Sequence, residues 1–262
     1  MMRIVGAVVV ALAALSVSLA PAVSKPRPAH AKPAATAAAR AAFAAMPETE
    51  RNAIQYDLVW TGDYNGIIGV EFGDAPVMAI KAFQKRNGGK DTGILNPDER
   101  QKLAESARLK QERAGWRMVD DTATGARLGV PGKLVQPAPQ VAGGGRWQSV
   151  HGTVKIETFR ITGAGTTLAS IIERMKKDTP HRKADYQLVK PDFLVISGFQ
   201  SGVKKFYTRA QIKGEDVRGV TVLYDLALEP QVEAVAIAIS NGFVGFPAAQ
   251  REPLLLEVAL AA

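Results

Sequence analysis

Val154-Lys155-Ile156-Glu157-Thr158-Phe159-Arg160-Ile161 is the stretch that decides the fold class of this 262-residue chain. Apolar and polar residues alternate along it, which is typical of a strand with one buried face. The segment after it, residues 167–177, instead has an apolar helical face formed by Leu168, Ile171, Ile172 and Met175. We therefore expect a half-buried strand followed by a helix.

Four more strand-like runs follow, and short turn sequences separate them. They are Tyr186–Val189, Phe193–Ser197, Lys204–Ile212 and Val217–Tyr224. A last helix is expected from Val232 to Phe243. This order predicts an α+β domain over residues 146–250, with a mainly antiparallel sheet and two helices. The arrangement resembles the small sandwich of the Mog1 and PsbP type, a fold-level likeness that implies no activity.

A separate helical segment precedes this domain at residues 48–112. Apolar residues recur at helical spacing in three stretches. Each stretch begins with acidic, proline or capping residues, which favour a helix N-terminus, as at Asp74-Ala75-Pro76 and Asn96-Pro97-Asp98-Glu99. We expect a small three-helix bundle. Residues 113–145 are expected to be a connector of short extended pieces, with a Pro- and Gly-rich loop from Gln136 to Gly145.

An ordered series of residues in the helical segment resembles the peptidoglycan-binding-like domain. The series is Ile54-Gln55, Leu58, Gly62, Tyr64, Gly66, Phe72-Gly73, Ala79-Ile80, Phe83-Gln84, Thr92-Gly93-Ile94-Leu95 and Leu103. Members of that family are three-helix modules attached to cell-wall hydrolases and other envelope proteins. Ile68-Gly69 departs from the usual Asp-Gly, and Pro76 stands where threonine is common.

The resemblance implies peptidoglycan as the partner. We expect contacts to glycan or stem peptide from exposed polar and aromatic groups beside the loops, namely Tyr64, Asn65, Asp74 and Gln84. The alternative for each of the four is a purely structural role. Most other residues of the series are expected to form the core or the tight turns of the module.

The N-terminus has the pattern of a signal peptide over residues 1–22. Arg3 precedes an apolar run from Ile4 to Leu19, and small residues stand at Ala20 and Ala22. We expect cleavage after Ala22, with Ala31 as a second candidate, and a periplasmic mature protein without a membrane span. An uncleaved anchor is the alternative, although the apolar run is short for a span.

The segments that flank the two predicted domains have no core of their own. Residues 23–47 are rich in Ala and Pro and are expected to form a tether, although the alanine content of 34–46 also allows a helix. Residues 251–262 form a C-terminal tail, which is either an added strand or a helix.

Composition excludes several kinds of chemistry. The chain has no cysteine and only 3 histidines, so thiol catalysis is excluded, and we expect no metal or other cofactor. The formal charge of +8 includes a purely basic tether. In an exported protein this charge favours weak adhesion to anionic wall polymers, or only solvation of the tether, over nucleic-acid binding.

One strand of the predicted α+β domain interleaves basic and aromatic residues. Period-two alternation places Lys205, Tyr207 and Arg209 on one face, and Arg218 lies in the next strand. Together they would form a cationic, aromatic surface for an anionic ligand or a partner such as another envelope protein. The alternative is an ordinary exposed sheet face.

Two function classes stay open at this point. One is a non-catalytic envelope protein that binds peptidoglycan through the helical module and a ligand or partner through the α+β domain. The other is a cell-wall hydrolase or protease with its active site in residues 146–250. A pocket that joins His151 to Glu157 or Asp225 would favour the second class.

Overall fold

A computed structural model of the protein describes residues 36–69, 73–141, 143–178 and 181–248. The predicted signal peptide, the first part of the predicted tether, Phe72 and the C-terminal tail lie outside the described residues. The described residues belong to one compact unit. Within the described ranges no helix is both long enough and apolar enough to cross a bilayer.

Four helices form an N-terminal layer. They are α1 (Ala37–Ala45), α2 (Glu48–Thr61), α3 (Asp74–Arg86) and α4 (Pro97–Ala114). The last one begins with a capping box, in which Asn96 Oδ1 accepts a hydrogen bond from the Glu99 amide at 2.9 Å and the Glu99 carboxylate accepts one from the Asn96 amide at 3.0 Å. The predicted bundle of α2, α3 and α4 is confirmed.

Helix α1 lies within residues 23–47, which the sequence predicts to be a tether. Thr36 caps its N-terminus, and Ala39 and Phe43 are buried in the core of the helical layer. Arg40 forms an ion pair with Asp74 at 3.1 Å. The described end of the segment is therefore a fourth helix, because two apolar side chains at i and i+4 are enough to dock it.

The remaining chain forms two antiparallel sheets in its described part. The hairpin consists of β1 (Trp116–Asp121) and β2 (Ala126–Pro131). The large sheet consists of β3 (Gln136–Val141), β4 (Gly144–Gln148), β5 (Val154–Thr162), β6 (Arg182–Val189), β7 (Phe193–Gln200), β8 (Lys204–Lys213) and β9 (Asp216–Asp225). Its order is β3-β4-β5-β9-β8-β7-β6. Helices α5 (Leu168–Asp178) and α6 (Glu229–Asn241) complete an α+β fold, as predicted.

Residues 113–145, predicted to be a connector, form regular structure instead, and the large sheet begins within this range. The loop expected from Gln136 to Gly145 forms β3 and the start of β4. Pro137 and Pro139 have no amide proton to donate to a neighbouring strand. They are tolerated because β3 is an edge strand, which is paired on one side only. Gly144 allows close pairing, since a Cβ there would lie 1.7 Å from the Thr158 carbonyl oxygen.

The two faces of the large sheet have different covers. Helix α6 and the hairpin pack on one face, around Val220, Val222 and Tyr224. Helix α5 packs on the other face, around Ile196 and Phe206.

The helical layer shares its core with α6. Ile237 and Ala238 belong to the same buried cluster as the apolar residues of α2, α3 and α4. Asn241 adds a polar bridge, accepting a hydrogen bond from the Ile68 amide at 2.9 Å and donating one to the Gly66 carbonyl at 3.1 Å. The helical layer and the sheet are therefore parts of one body.

Candidate functional site

A cleft of about 350 Å³ opens where the loop after α2 meets the large sheet. We call it the seam cleft. Its polar lining comes from both layers and includes Asn65, Asp185, Lys205, Tyr207 and Glu233. The loop 64–67 forms one wall, and β6, β8 and α6 form the other.

The wall from the helical layer depends on how the chain leaves α2. Gly62, at φ 83°, ends the helix in the left-handed conformation that glycine favours. The Tyr64 ring then turns inward, and its hydroxyl accepts a hydrogen bond from Gln55 Nε2 at 3.2 Å. Gly66 leaves the necessary space, because a Cβ there would lie 2.3 Å from the Tyr64 hydroxyl oxygen. Asn65 is consequently held outward, exposed at the mouth of the cleft.

The opposite wall has a network of charged groups between β8 and α6. Lys205 Nζ donates to Glu233 Oε1 at 2.7 Å and also to Glu229. The Tyr207 hydroxyl donates to Glu233 Oε1 at 3.3 Å. Since Glu229 and Glu233 are one helical turn apart, both carboxylates reach the same ammonium.

Burial and charge set the protonation states in this network. Burial lowers the pKa of Lys205, but the hydrogen bonds to Glu229 and Glu233 outweigh it, and the pKa lies above its usual range. Burial raises the pKa of Tyr207 to about 12, against the lowering effect of Lys205 and with a further increase from Glu233. At neutral pH the cleft therefore contains an ammonium group and a neutral phenol.

Strand β6 contributes the outer rim of the same wall. Asp185 is exposed and accepts a hydrogen bond from the Ser197 hydroxyl at 3.3 Å. Tyr186 lies beside it with 42% of its surface exposed. The cleft thus combines amide, carboxylate, ammonium and aromatic groups.

The four residues predicted to contact peptidoglycan have different places in the structure. Asn65 is exposed and lines the seam cleft, whereas Asp74 forms the ion pair with Arg40. Tyr64 lines the cleft but is only 4% exposed, and Gln84 is only 2% exposed. The expectation that Tyr64 and Gln84 are exposed is therefore wrong, because the module uses both side chains to hold its own loops.

Gln84 shows this structural role most clearly. Its Oε1 accepts a hydrogen bond from the Gly93 amide at 2.9 Å, and its Nε2 donates to the Ile94 carbonyl and to Glu99, both at 2.9 Å. The side chain therefore joins α3, the following loop and α4.

The predicted cationic surface is divided in the structure. Lys205 and Tyr207 line the seam cleft. Arg209 shares their face of β8 but is only 9% exposed, with its guanidinium 4.7 Å from the centroid of the Phe193 ring. Arg218 donates to the carbonyls of Gly125 at 3.0 Å and Gly245 at 3.1 Å, which ties two loops to the sheet. These contacts are the reason why Arg209 and Arg218 do not extend the cleft.

The residues considered for a hydrolase lie apart from the cleft. Glu157 is paired with Arg146 at 2.7 Å, and Asp225 is paired with Lys204. His151 is exposed in the turn before β5. Across the part of the chain that the structure describes, no group of three or more His, Asp or Glu side chains is placed to hold a metal ion.

Sequence reasoning did not select Asp185, Glu233 or Asn241 as site residues. A signal was present for α6, because Glu229 and Glu233 lie four residues apart and therefore on one face of the helix. No local signal connects any of these residues to Asn65.

Comparison with known proteins finds similarity over two parts of the chain. No curated protein sequence matches it. The C-terminal part is similar to the solution structure of cyanobacterial PsbP (CyanoP) from Synechocystis sp. PCC 6803, at 9% identity and a TM-score of 0.38 over 50% of this chain and 92% of that chain. A likeness this low carries no argument about function. Residues 47–103, which span α2, α3 and the start of α4, match the family model described as "Putative peptidoglycan binding domain", so the resemblance of the helical module to that family is confirmed.

Proposed function

We propose that the protein is an exported, non-catalytic envelope protein that binds peptidoglycan in the seam cleft. The observation that supports this most is the position of the cleft, which has the loop of the peptidoglycan-binding module as one wall. Helical module and sheet would then hold the ligand together. The predicted signal peptide at residues 1–22 would deliver the protein to the periplasm.

The chemistry of the cleft suits a wall fragment. Peptidoglycan presents acetamido groups and sugar hydroxyls, together with peptides that have both amino and carboxylate groups. Asn65 offers an amide, Asp185 and Glu233 offer carboxylates, and Lys205 offers an ammonium group. The volume of about 350 Å³ lies at the lower end of the range of small-ligand pockets, enough for one sugar or a short piece of stem peptide.

The contacts of the carboxylates support a binding role over a catalytic one. Glu233 already accepts hydrogen bonds from Lys205 and Tyr207, and Asp185 accepts one from Ser197. A glycosidase needs one of two facing carboxyl groups as a proton donor. Both groups act here as acceptors, which suits recognition of amide and amino groups.

Cosedimentation of mature protein, residues 23–262, with insoluble peptidoglycan tests the proposal. Deletion of 48–112 is a poor control, because it removes most of a core that includes Ile237 and Ala238. We therefore propose the double variant Asn65→Ala/Asp185→Asn, which changes two exposed side chains. The loss of the Asn65 amide and of the negative charge of Asp185 is expected to weaken binding about tenfold.

The matched control is Asp91→Asn, at an exposed aspartate in the loop before α4 and outside the cleft. It should sediment like the wild type. The proposal fails if the wild-type protein stays in the supernatant, or if the double variant binds the wall as well as the control does.

A further inference from the structure

A second cavity lies on the opposite face of the sheet. Successive residues of a strand point to opposite faces, so Phe206 faces away from the seam cleft, which Lys205 and Tyr207 line. Under α5 the structure leaves a cavity of about 320 Å³ there, which we call the outer pocket. Its lining differs from that of the seam cleft and belongs to no part of the peptidoglycan-binding module.

The walls of the outer pocket are almost entirely hydrocarbon. They are formed by Ile172 and Met175 of α5 and by Ile196 and Phe206 of the sheet. Ile172, Ile196 and Phe206 belong to the buried cluster on this face, so the walls are fixed by packing. The volume is about twice the roughly 150 Å³ of an apolar cavity that holds benzene. The pocket therefore has room for an unbranched chain of several carbons.

One oriented cation, Arg182, lies at the rim of this apolar space. The Arg182 guanidinium lies 5.0 Å from the centroid of the Phe206 ring, and Arg182 Nε donates to Gln200 Oε1 at 2.9 Å. These two contacts orient the guanidinium at the pocket. Lys183 follows it in β6, but its side chain alternates to the face of Lys205, with which it is aligned across Phe199.

Arg182 has no carboxylate partner at close range. Among the described residues, no carboxylate lies within 4 Å of its charged nitrogens, in contrast to Arg146, Arg160, Lys204 and Lys205 on the same sheet, and Glu157 acts on it only from a longer distance. An oriented guanidinium presents paired donors that match a carboxylate. The rim is thus complementary to an acidic group attached to the end of an apolar body.

We propose that the outer pocket binds a medium-chain fatty acid or a similar carboxylate amphiphile. The acyl chain lies against Ile172, Met175, Ile196 and Phe206, and the carboxylate is held by Arg182. This site is independent of peptidoglycan binding, because the pocket is on the other face of the sheet.

The test uses the full mature chain labelled with ¹³C at the methionine methyl groups. Once residues 1–22 are removed, the methionines are Met46, Met78, Met118 and Met175, and only Met175 lines the pocket. Decanoate, 1-decanol and decyltrimethylammonium are titrated below their micelle concentrations. Decanoate should shift the Met175 signal in a saturable way and leave the other three signals in place.

The head group and chain length give the expected order of affinity. Decanoate should bind about tenfold more tightly than decanol, because a hydrogen bond between charged groups is added. The decyl cation should bind more weakly than decanol. Octanoate should bind roughly fourfold more weakly for each methylene removed.

Arg182→Gln should reduce decanoate binding about tenfold and leave decanol binding unchanged. The matched control is Arg117→Gln, at an exposed arginine of β1 outside the pocket. Ala184→Phe, at an exposed position on the pocket rim, should block both ligands while the signals of Met46, Met78 and Met118 stay in place. The proposal is overturned if the Met175 signal does not move, if decanoate and the cation bind equally, or if Arg182→Gln binds decanoate like the wild type.

Discussion

Gln84 illustrates at the scale of single residues how a polar motif residue can be structural. It is four residues after Ile80 and seven after Val77, and both of these are buried on the same face of α3. That spacing was visible in the sequence and could have indicated a buried position. What the sequence does not show is the identity of its partners, the Gly93 amide, the Ile94 carbonyl and Glu99.

Gln84→Ala is expected to destabilise the protein by about 2–4 kcal/mol. The substitution leaves the buried Gly93 amide without an acceptor, which costs about 1–3 kcal/mol, and it removes the hydrogen bonds to the Ile94 carbonyl and to Glu99, each worth about 1 kcal/mol. Chemical denaturation measures the change in the free energy of unfolding. Gln101→Ala, at an exposed glutamine of α4, should change stability by less than about 0.5 kcal/mol. Equal effects of the two substitutions would contradict the structural role of Gln84.

Tyr64 and Asn65 show the limit of residue-level prediction. The motif places both side chains in the loop after α2. In the structure the Tyr64 ring is buried, whereas the Asn65 side chain is exposed. Gly66 explains the difference, because only a residue without Cβ lets the Tyr64 ring fold back over the loop. A sequence pattern does not contain that steric information.

At the scale of elements, most of the strands and helices could be predicted because their local patterns are strong. The predicted β5 to β9 and both predicted helices of the α+β domain are present. Strand β3 was missed because its prolines have the sequence signature of a loop, and an edge position is a property of the whole sheet. The packing of helix α1 was missed because the helix is stabilised by contacts of Ala39 and Phe43 with the core of the helical layer, and these contacts are not visible in the local sequence.

Burial of Tyr207 at the contact between β8 and α6 should make the free energy of unfolding depend on pH. The pKa of Tyr207 is raised to about 12 in the folded protein, so its neutral form is favoured by folding. Its contribution to stability is complete below pH 10 and is lost as the pH rises from about 10 towards 12, because the unfolded chain releases the proton first.

Tyr207→Phe should therefore make stability less sensitive to alkaline pH. Between pH 10 and 12 the free energy of unfolding of the wild type should fall more steeply than that of the variant, by up to about 1.4 kcal/mol per pH unit. Urea denaturation at a series of pH values measures both slopes. Parallel slopes would mean that Tyr207 is not held neutral by its burial.

At the scale of the whole molecule, the sequence suggests two domains, residues 48–112 and 146–250, whereas the described parts of both ranges belong to one compact unit. The difference arises because Ile237 and Ala238 of α6 complete the core of the helical layer. Asn241 adds hydrogen bonds to residues more than 170 positions away in the chain. A contact of that range has no local signature, and for the same reason the seam cleft could not be predicted.

We expect the mature chain to unfold in a single cooperative transition. The shared core makes the helical layer and the sheet lose their contacts together, so the calorimetric and van't Hoff enthalpies should agree. Differential scanning calorimetry makes this comparison. Two separate transitions would show that the helical layer folds without α6.

The proposed binding of peptidoglycan between the helical module and the sheet can be tested by hydrogen–deuterium exchange of the mature chain, with and without soluble muropeptides. We expect slower exchange on both sides of the cleft, in the loop 64–69 and in the segments of β6 and β8 that include Asp185 and Lys205. Protection limited to α3 and α4, or no protection at saturating muropeptide, would contradict it.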